Sequence, residues 1–408
     1  MRRFDKSFTR QEPLPEPAIE AAVAVMRSGK LHRYNTAPGE ESEVARLERD
    51  YAAFQGVRYC VACTSGGAAM QLALRACGVG HGTPVLANAW TLAPVPGAMQ
   101  AVGARPVFVE IRPDWCIDTD DLAEKVATSG ARHLLLSHMR GHIGRMERIA
   151  EICAAHGITL IEDCAHTMGA AWNGTRSGNF GAVAAFSTQT YKHLNSGEGG
   201  FLTTDDPEIA GRAIVMSGSY MLYERHGTVP EPAVMEALRL DQPNLSCRMD
   251  NLRAAVLRAQ LPRLPDSIRR WNERYAVLEA ALDAPGLRIV PRPQQEAIVG
   301  SSIQVHATGC PGRMPEFLAR CAERGVELKW FGDPEPRGFT SRWDSWRYLG
   351  PAQALPRTAE VLATTCDMRI PLTFDLDDCR LIGEIVAETM AEMMAEDGPA
   401  EPEERTHR

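Results

Sequence analysis

Of the 44 basic residues only five are lysines: Lys6, Lys30, Lys125, Lys192 and Lys329. Arginine is used almost wherever a plain positive charge would do. A lysine kept between Tyr191 and His193 therefore points to amine chemistry that arginine cannot perform. Asp163 closes the run ITLIED (158–163), where an acid faces a ligand mouth instead of a core. Lys192 follows 29 residues later, after the apolar run VAAFS (183–187) and a short turn. An amine that can condense with an aldehyde, and a carboxylate that keeps a pyridine nitrogen protonated, are the pair that pyridoxal phosphate (PLP) requires.

Further residues complete such a ligand. Ser187 ends VAAFS and offers a hydroxyl to a phosphate. Thr64-Ser65-Gly66-Gly67 precedes an Ala-rich helix whose first N–H groups and dipole favour an anion. No Gly-Lys-Ser/Thr follows, so this is not a nucleotide P-loop. Trp90, in NAWTLAP (88–94), carries an indole able to stack on a planar ring. His166, three residues after Asp163, can contact the ring or orient the carboxylate. Each also has a plain reading: a turn serine, an ordinary strand–helix turn, a core tryptophan, a satisfied core histidine. Together they describe one ligand with a phosphate, a flat ring, a ring nitrogen and an aldehyde.

The elements that must position these residues are legible as alternation. A helix is expected over 66–77, then β-type runs at 83–88, 105–110 and 133–137, and a helix over 146–156 closed by Gly157. Further strands are expected at 158–163, 183–187 and 201–204. Near-continuous apolar strands separated by helices imply an α/β fold with a mostly parallel central sheet covered on both faces. In such sheets ligands sit at the carboxyl ends of the strands, where the residues above cluster. Helical stretches at 315–325 and 379–394 and a strand at 326–332 imply a small α+β C-terminal domain. The organisation expected is an N-terminal arm at 1–40, a large PLP-binding domain at 41–260, the small domain at 261–395 and a disordered tail at 396–408.

Composition narrows the function classes. With 408 residues, a net charge of −8 and no basic block interleaved with aromatics, nucleic acid is not an expected partner. No apolar run approaches the ~20 residues that span a bilayer. The first residues lack the apolar stretch of a secretory signal, and 11 scattered cysteines suit reduced thiols, so a cytoplasmic location is expected. Cys60 and Cys63 form a CxxC without a second pair, and RYCVAC reads as a buried strand, so no metal is expected. His138 and His142 stand four apart, but in a Gly-containing loop. Met390, Met393 and Met394 read as a helical core stripe, and Arg176 as a hairpin charge.

The blocks SGGAAMQLAL (65–74), NAWTLAP (88–94), IEDCAHTMGA (161–170) and FSTQTYKHLNSGEGGF (186–201) resemble the DegT/StrS-type sugar aminotransferases, within the fold-type I PLP enzymes. CRMDNLRAAVLRAQL (247–261) and MRIPLTFDLDD (368–378) extend the likeness over nearly the whole chain from about residue 30. The resemblance implies that Lys192 carries the Schiff base and shuttles the proton, and that Asp163 pairs with the pyridine nitrogen. By the same likeness His166 lies near the ring, Trp90 stacks on it, and Ser187 with Gly66 and Gly67 holds the phosphate. It also implies a homodimer in which the neighbouring subunit completes the phosphate site, at a point where this chain has Ser246 before Arg248-Met249.

Three departures bear on the substrate. Gly67 stands where the family usually has Thr, leaving a backbone N–H to act alone. Thr188-Gln189-Thr190 replaces an aromatic stretch, with Gln189 at a place where some cyclitol aminotransferases carry Gln. SHMRGHIG (137–144) replaces a His-Leu-aromatic-Gly loop near the substrate mouth. The expected function is PLP-dependent transfer of an amino group from an amino acid, glutamate or glutamine, to a keto or aldehyde acceptor such as a keto sugar or cyclitol. A dehydratase or lyase on the same scaffold, and a PLP-binding regulator without catalysis, are the alternatives. The dehydratase branch has histidine in place of the lysine, whereas Lys192 is present here.

Overall fold

The computed structural model describes residues 2–396. Its centre is a seven-stranded sheet of β1 (Tyr59–Cys63), β2 (Pro84–Asn88), β3 (Arg105–Val109), β4 (His133–Ser137), β5 (Thr159–Asp163), β6 (Val183–Ser187) and β7 (Gly200–Thr204). The spatial order is β1-β7-β6-β5-β4-β2-β3, and β7 alone runs antiparallel to its neighbours. Almost every residue of these strands is buried, as a sheet covered on both faces requires. The architecture is α/β with a mostly parallel sheet, as the alternation of apolar runs and helices implies. The antiparallel β7 follows from a hairpin: β6 and β7 are joined directly, without the helix that a parallel return needs.

Strand ends fall within a residue or two of expectation. The helix Met146–His156 stops at Gly157, which adopts the left-handed conformation (φ 62°) that ends a helix without a Cβ penalty. The expected strand at 326–332 shrinks to Lys329–Trp330. It is the edge strand of a four-stranded antiparallel sheet and pairs with two residues of Thr365–Arg369, whose other side makes the longer pairing with Ser302–Ala307. That second sheet has its own apolar core with the helix Leu376–Glu396, into which Phe4 and Phe8 of the N-terminal arm also pack. Met390 and Met393 are fully buried in it, while Met394 is partly exposed. The tail expected from 396 lies, apart from Glu396 at the end of that helix, outside the described residues.

Inside the arm lies the helix Glu16–Ser28, which packs on the helix Asn251–Gln260. Just beyond it, Arg33 forms a fully buried two-pronged ion pair with Glu48, both N–O distances 2.9 Å. Glu48 also accepts from the backbone N–H groups of Ala62 and Gly227 at 3.0 Å. These four donors satisfy a carboxylate that water cannot reach, and Arg33 holds it ionised against the cost of burial. The network ties the arm, β1 and the 227 loop to one point. Among the described residues, no helix is long and apolar enough to cross a membrane, and all the cysteines are free thiols.

Candidate active site

Three neighbouring parallel strands end in polar residues at the same edge of the sheet: Asn88 on β2, Ser137 on β4 and Asp163 on β5. Ser137 and Asp163 are partners in register. The Asn88 side chain accepts from Ser137 N–H (2.9 Å) and donates to the carbonyls of Trp90 (2.8 Å) and Ser137 (3.1 Å). Thr91 donates its hydroxyl to Ser137 Oγ (2.9 Å), which donates in turn to Asp163 Oδ2 (2.8 Å). Asp163 Oδ1 accepts from Ala165 N–H (3.1 Å). One buried carboxylate is thus oriented by a relay across three strands. Sequence reasoning passed over Asn88, Ser137 and Thr91, although each apolar run ending in a polar residue carried the signal.

Lys192 sits in the loop between β6 and β7. Thr188 N–H to Gly199 O (2.9 Å), Ser196 N–H to Thr188 O (3.0 Å) and Lys192 N–H to Gln189 O (2.8 Å) fold that loop tightly. The base of the loop lies against the start of the helix Gly66–Ala76. A Cβ on Gly200 would come within 2.6 Å of Gly66 N, and one on Gly66 within 2.8 Å of Ser187 Cβ. Only glycine permits this approach. It sets Ser187 and the first turn of that helix, capped by Ser65 Oγ accepting from Ala68 N–H (3.0 Å), around one small space.

Lys192 Nζ and His166 Nε2 are 2.7 Å apart. His166 Nδ1 accepts from Arg140 N–H at 3.3 Å, which leaves the imidazole proton on Nε2, directed at the amine. Burial pushes Lys192 down to about 7; Asp163 opposes this, and the nearby charges of Arg140 and Arg369 reinforce it. Burial, with the charges of Lys192 and Arg140 behind it, holds His166 well below the usual histidine range. Near pH 7 the imidazole is therefore neutral, and the amine loses its proton far more readily than an ordinary lysine.

A cavity of about 590 Å³ is lined by Ser65, Gly66, Gly67, Asp163, His166, Ser187, Gln189 and Lys192. These are the expected site residues with two exceptions. Trp90 is fully buried behind the wall, edge-on to Phe331 at 5.4 Å, and the cavity is lined instead by Leu92–Val95 of the segment that follows it. Ser246 is exposed on the loop after residue 240, with φ 53° and its N–H on Asn244 Oδ1 (2.9 Å). His193 points away, edge-on to Trp271 at 5.3 Å, and burial pushes it down to about 3.

Two further lining residues, Arg140 and Arg369, were not singled out from sequence as site residues. Arg140 replaces the aromatic residue of the SHMRGHIG departure. It has φ 55° and forms a buried ion pair with Asp367 of the second sheet. Nothing local to either residue announces a partner 227 positions away.

The fit to PLP is good on the chain's own features. A buried amine of lowered pKa, a carboxylate in the same cavity and a glycine-lined helix start that a Cβ would fill would meet the aldehyde, ring nitrogen and phosphate in one volume. The comparisons agree. L-glutamine:2-deoxy-scyllo-inosose aminotransferase of Streptomyces fradiae is 31% identical over 301 residues, which is 73% of this chain and 70% of that protein. The dTDP-3-amino-3,4,6-trideoxy-alpha-D-glucose transaminase of Streptomyces venezuelae is 36% identical over 267 residues, 64% of this chain and 63% of its own. The crystal structure of the aminotransferase TlmJ from Streptoalloteichus hindustanus superposes with a TM-score of 0.80, covering 94% of this chain and 99% of TlmJ at 24% identity, which supports the fold. The family model described as DegT/DnrJ/EryC1/StrS aminotransferase matches residues 15–385, and the chain belongs to that family of fold-type I, PLP-dependent aminotransferases.

Proposed function

We propose that this aminotransferase takes its amino group from glutamine or glutamate and delivers it to a keto sugar or keto cyclitol, with Lys192, Asp163 and His166 as its catalytic residues. The observation that carries the reading is the buried Lys192 amine, held 2.7 Å from His166 in the cavity that Asp163 also lines. When bound, PLP supplies an electron sink for the carbanion left by removal of the α-proton. Asp163, fixed by Ser137 and Ala165, holds a negative charge where a pyridine nitrogen must stay protonated. Gly66, Gly67 and Ser187 present N–H and O–H donors to a phosphate. Lys192 would hold the cofactor covalently at rest, and its Nζ, once free, would take the proton from the donor's α-carbon and deliver it to the carbon on the other side of the donor's nitrogen. His166 Nε2 would steer that amine through its hydrogen bond, and Gln189, which lines the same cavity, would contact the cofactor.

We further propose the division into an arm (1–40), a large domain (41–260) and a small domain (261–395), supported by the second sheet's own apolar core, although Phe331, Trp343, Trp346 and Leu362 of the small domain pack into the core of the large sheet. A cytoplasmic homodimer is part of the same reading. Tyr220, Met221 and Leu240 expose large apolar groups, Leu240 at 78%, on the segment that carries Ser246. A second copy seated there would bring Ser246 toward the neighbour's phosphate contacts.

The test is covalent. After borohydride reduction of the PLP-loaded protein, peptide mapping is expected to place the cofactor mass on Lys192, and Lys192→Ala to abolish both the tag and turnover. Turnover at the wild-type rate in that variant overturns the mechanism. Offering the amino-loaded enzyme keto sugars, keto cyclitols and simple ketones, while following cofactor absorbance, then identifies the acceptor class.

A further inference from the structure

The cavity has a second wall, built on two paired strands of the smaller four-stranded sheet. Gln304 on Ser302–Ala307 and Asp367 on Thr365–Arg369 are partners in register. Together they grip the loop after β4 at two points. Asp367 accepts from Arg140 Nε (2.7 Å), from Arg140 Nη2 and from Gln304 Nε2 (2.7 Å). Gln304 Oε1 accepts from His142 Nε2–H at 2.6 Å. The residues on either side of Gly141 are thus tied to one strand pair, and Arg292 Nη1 donates to the Gly141 carbonyl at 3.1 Å. Between these ties Arg140 has φ 55° and Gly141 φ 86°. Glycine adopts such a backbone freely. A residue with a Cβ is strained in it and stays only where its surroundings hold it. For Arg140 the two-pronged pair with Asp367 does the holding.

The strained backbone aims the Arg140 main-chain N–H at His166 Nδ1, 3.3 Å away. A ring nitrogen that accepts carries no proton, so neutral His166 keeps its proton on Nε2, 2.7 Å from Lys192 Nζ. Two N–H donors cannot share one hydrogen bond. The Nε2–H is satisfied by the lone pair of a free amine and opposes an ammonium. With the ring proton on Nδ1 instead, Nε2 would accept from the ammonium and stabilise it. The tautomer therefore decides which protonation state of Lys192 is favoured. We propose that Arg140 is a positioning residue: held left-handed by Asp367, it fixes the His166 tautomer through its main-chain N–H and so directs a donor, not an acceptor, at the Lys192 amine. This rests on Lys192 being the reacting amine, as proposed for the site. The charged groups that face the pair are Asp163, which favours the ammonium, and Arg140 and Arg369, which oppose it, with His193 beside His166. Those act through charge. The main-chain N–H acts through the position of one proton and persists when the Arg140 charge is removed. The side chain at 140 is thus free to differ wherever the backbone stays left-handed.

Arg140→Gly and Arg140→Ala separate the backbone from the charge. Both remove the guanidinium and its pair with Asp367. Glycine keeps the left-handed backbone unaided, whereas alanine does not. The full-length chain freed of cofactor, in which the amine is unbound, gives two readouts. Nitrogen-15 NMR of labelled histidines reports the His166 tautomer, the residue being identified by its loss in His166→Asn. Wild type and the glycine variant should show the proton on Nε2, and the alanine variant a shift toward Nδ1. Labelling with acetic anhydride followed by peptide mapping reports the free-amine fraction of Lys192. At pH 7 Lys192 should react at least ~3-fold more slowly in the alanine variant than in the glycine variant, the worth of one hydrogen bond. Arg140→Asn, which also tolerates left-handed backbone, should match glycine. Equal labelling of the glycine and alanine variants overturns the proposal, since a merely structural role would lower only the melting temperature. A wild-type His166 protonated on Nδ1 overturns it without any variant. If the alanine variant does not fold, Arg140→Ser carries the same comparison. A borohydride tag missing from Lys192 would instead overturn the reading of the site and leave the tautomer result standing.

Discussion

The two walls of the cavity are built on opposite plans. On the large-sheet side Asn88, Ser137 and Asp163 stand at the ends of parallel strands, and the relay runs sideways between neighbours that share a register. On the other side Asp367 projects from a short antiparallel sheet, and its partner Arg140 comes from a distant loop where it has left-handed backbone. The first wall places charge by the geometry of the sheet. The second places it by packing the C-terminal layer against the large-sheet layer. Chemistry common to a whole family belongs on the first kind of wall, because strand ends cannot shift without breaking the sheet. Recognition of a particular substrate belongs on the second, where a loop residue such as Arg140 can change without disturbing a strand.

The largest expected difference between the walls comes from removing one charge from each. Asp163→Asn keeps the size and the bond from Ala165, and its amide N–H can donate to Ser137 Oγ in place of the bond it loses, so melting should shift by no more than ~1 kcal/mol equivalent. Turnover should nevertheless fall by at least ~1000-fold, about 4 kcal/mol of barrier. Asp367→Asn should do the reverse. It leaves the buried Arg140 without its counter-charge, which is expected to cost about 3 kcal/mol in denaturant unfolding, with a smaller loss in turnover. Equal effects on stability from the two variants would erase the distinction between the walls.

What the sequence reveals divides along the same line. Lys192, Asp163, His166, Ser187, Gly66 and Gly67 could be read because each sits where an apolar run or a glycine turn meets a polar residue, and short-range pattern reports short-range structure. The ends of β5 and β6 could be placed for the same reason. Arg140, Asp367 and Arg369 could not. Their pairing spans more than two hundred residues, and the strand at Lys329–Trp330 is too short to show a period. The direction of β7 was equally hidden, since apolar composition does not record which way a strand runs. Trp90 shows a further limit: an aromatic after a strand marks either a stacking face or a core, and only packing separates the two.

A pH experiment sharpens the electrostatic side of the comparison. In cofactor-free protein the Lys192 amine is pushed down to about 7 in the fold, against 10.5 as its ordinary value. Between those limits the unfolded chain binds the extra proton, so this group makes stability rise as pH rises from about 7 to about 10.5. Below 7 the folded protein must carry the charge in its cavity and the full cost is present. Lys192→Met should therefore be more stable than wild type at pH 6, by roughly 2 kcal/mol after water entry is allowed for. The advantage should fade through pH 9 and vanish above 10.5. A constant difference across that range would mean that the amine is not desolvated.

The smallest effect is expected at Trp90, and it decides which face of the cavity the indole serves. Its ring is fully buried, edge-on to Phe331 and 6.0 Å from the His142 ring, and among the described residues its Nε1–H has no acceptor. Trp90→Phe removes volume, which destabilises, and also removes an unsatisfied buried donor, which stabilises. The two terms oppose each other, and the net change in unfolding free energy should lie within ~1–2 kcal/mol. Since Leu92–Val95 and not Trp90 line the cavity, the dissociation constant of PLP should change by less than about 3-fold and the spectrum of the bound form should not move. A loss of PLP affinity beyond 10-fold with unchanged stability would show that the indole turns to the cofactor when it binds, and would move Trp90 from the core to the large-sheet wall.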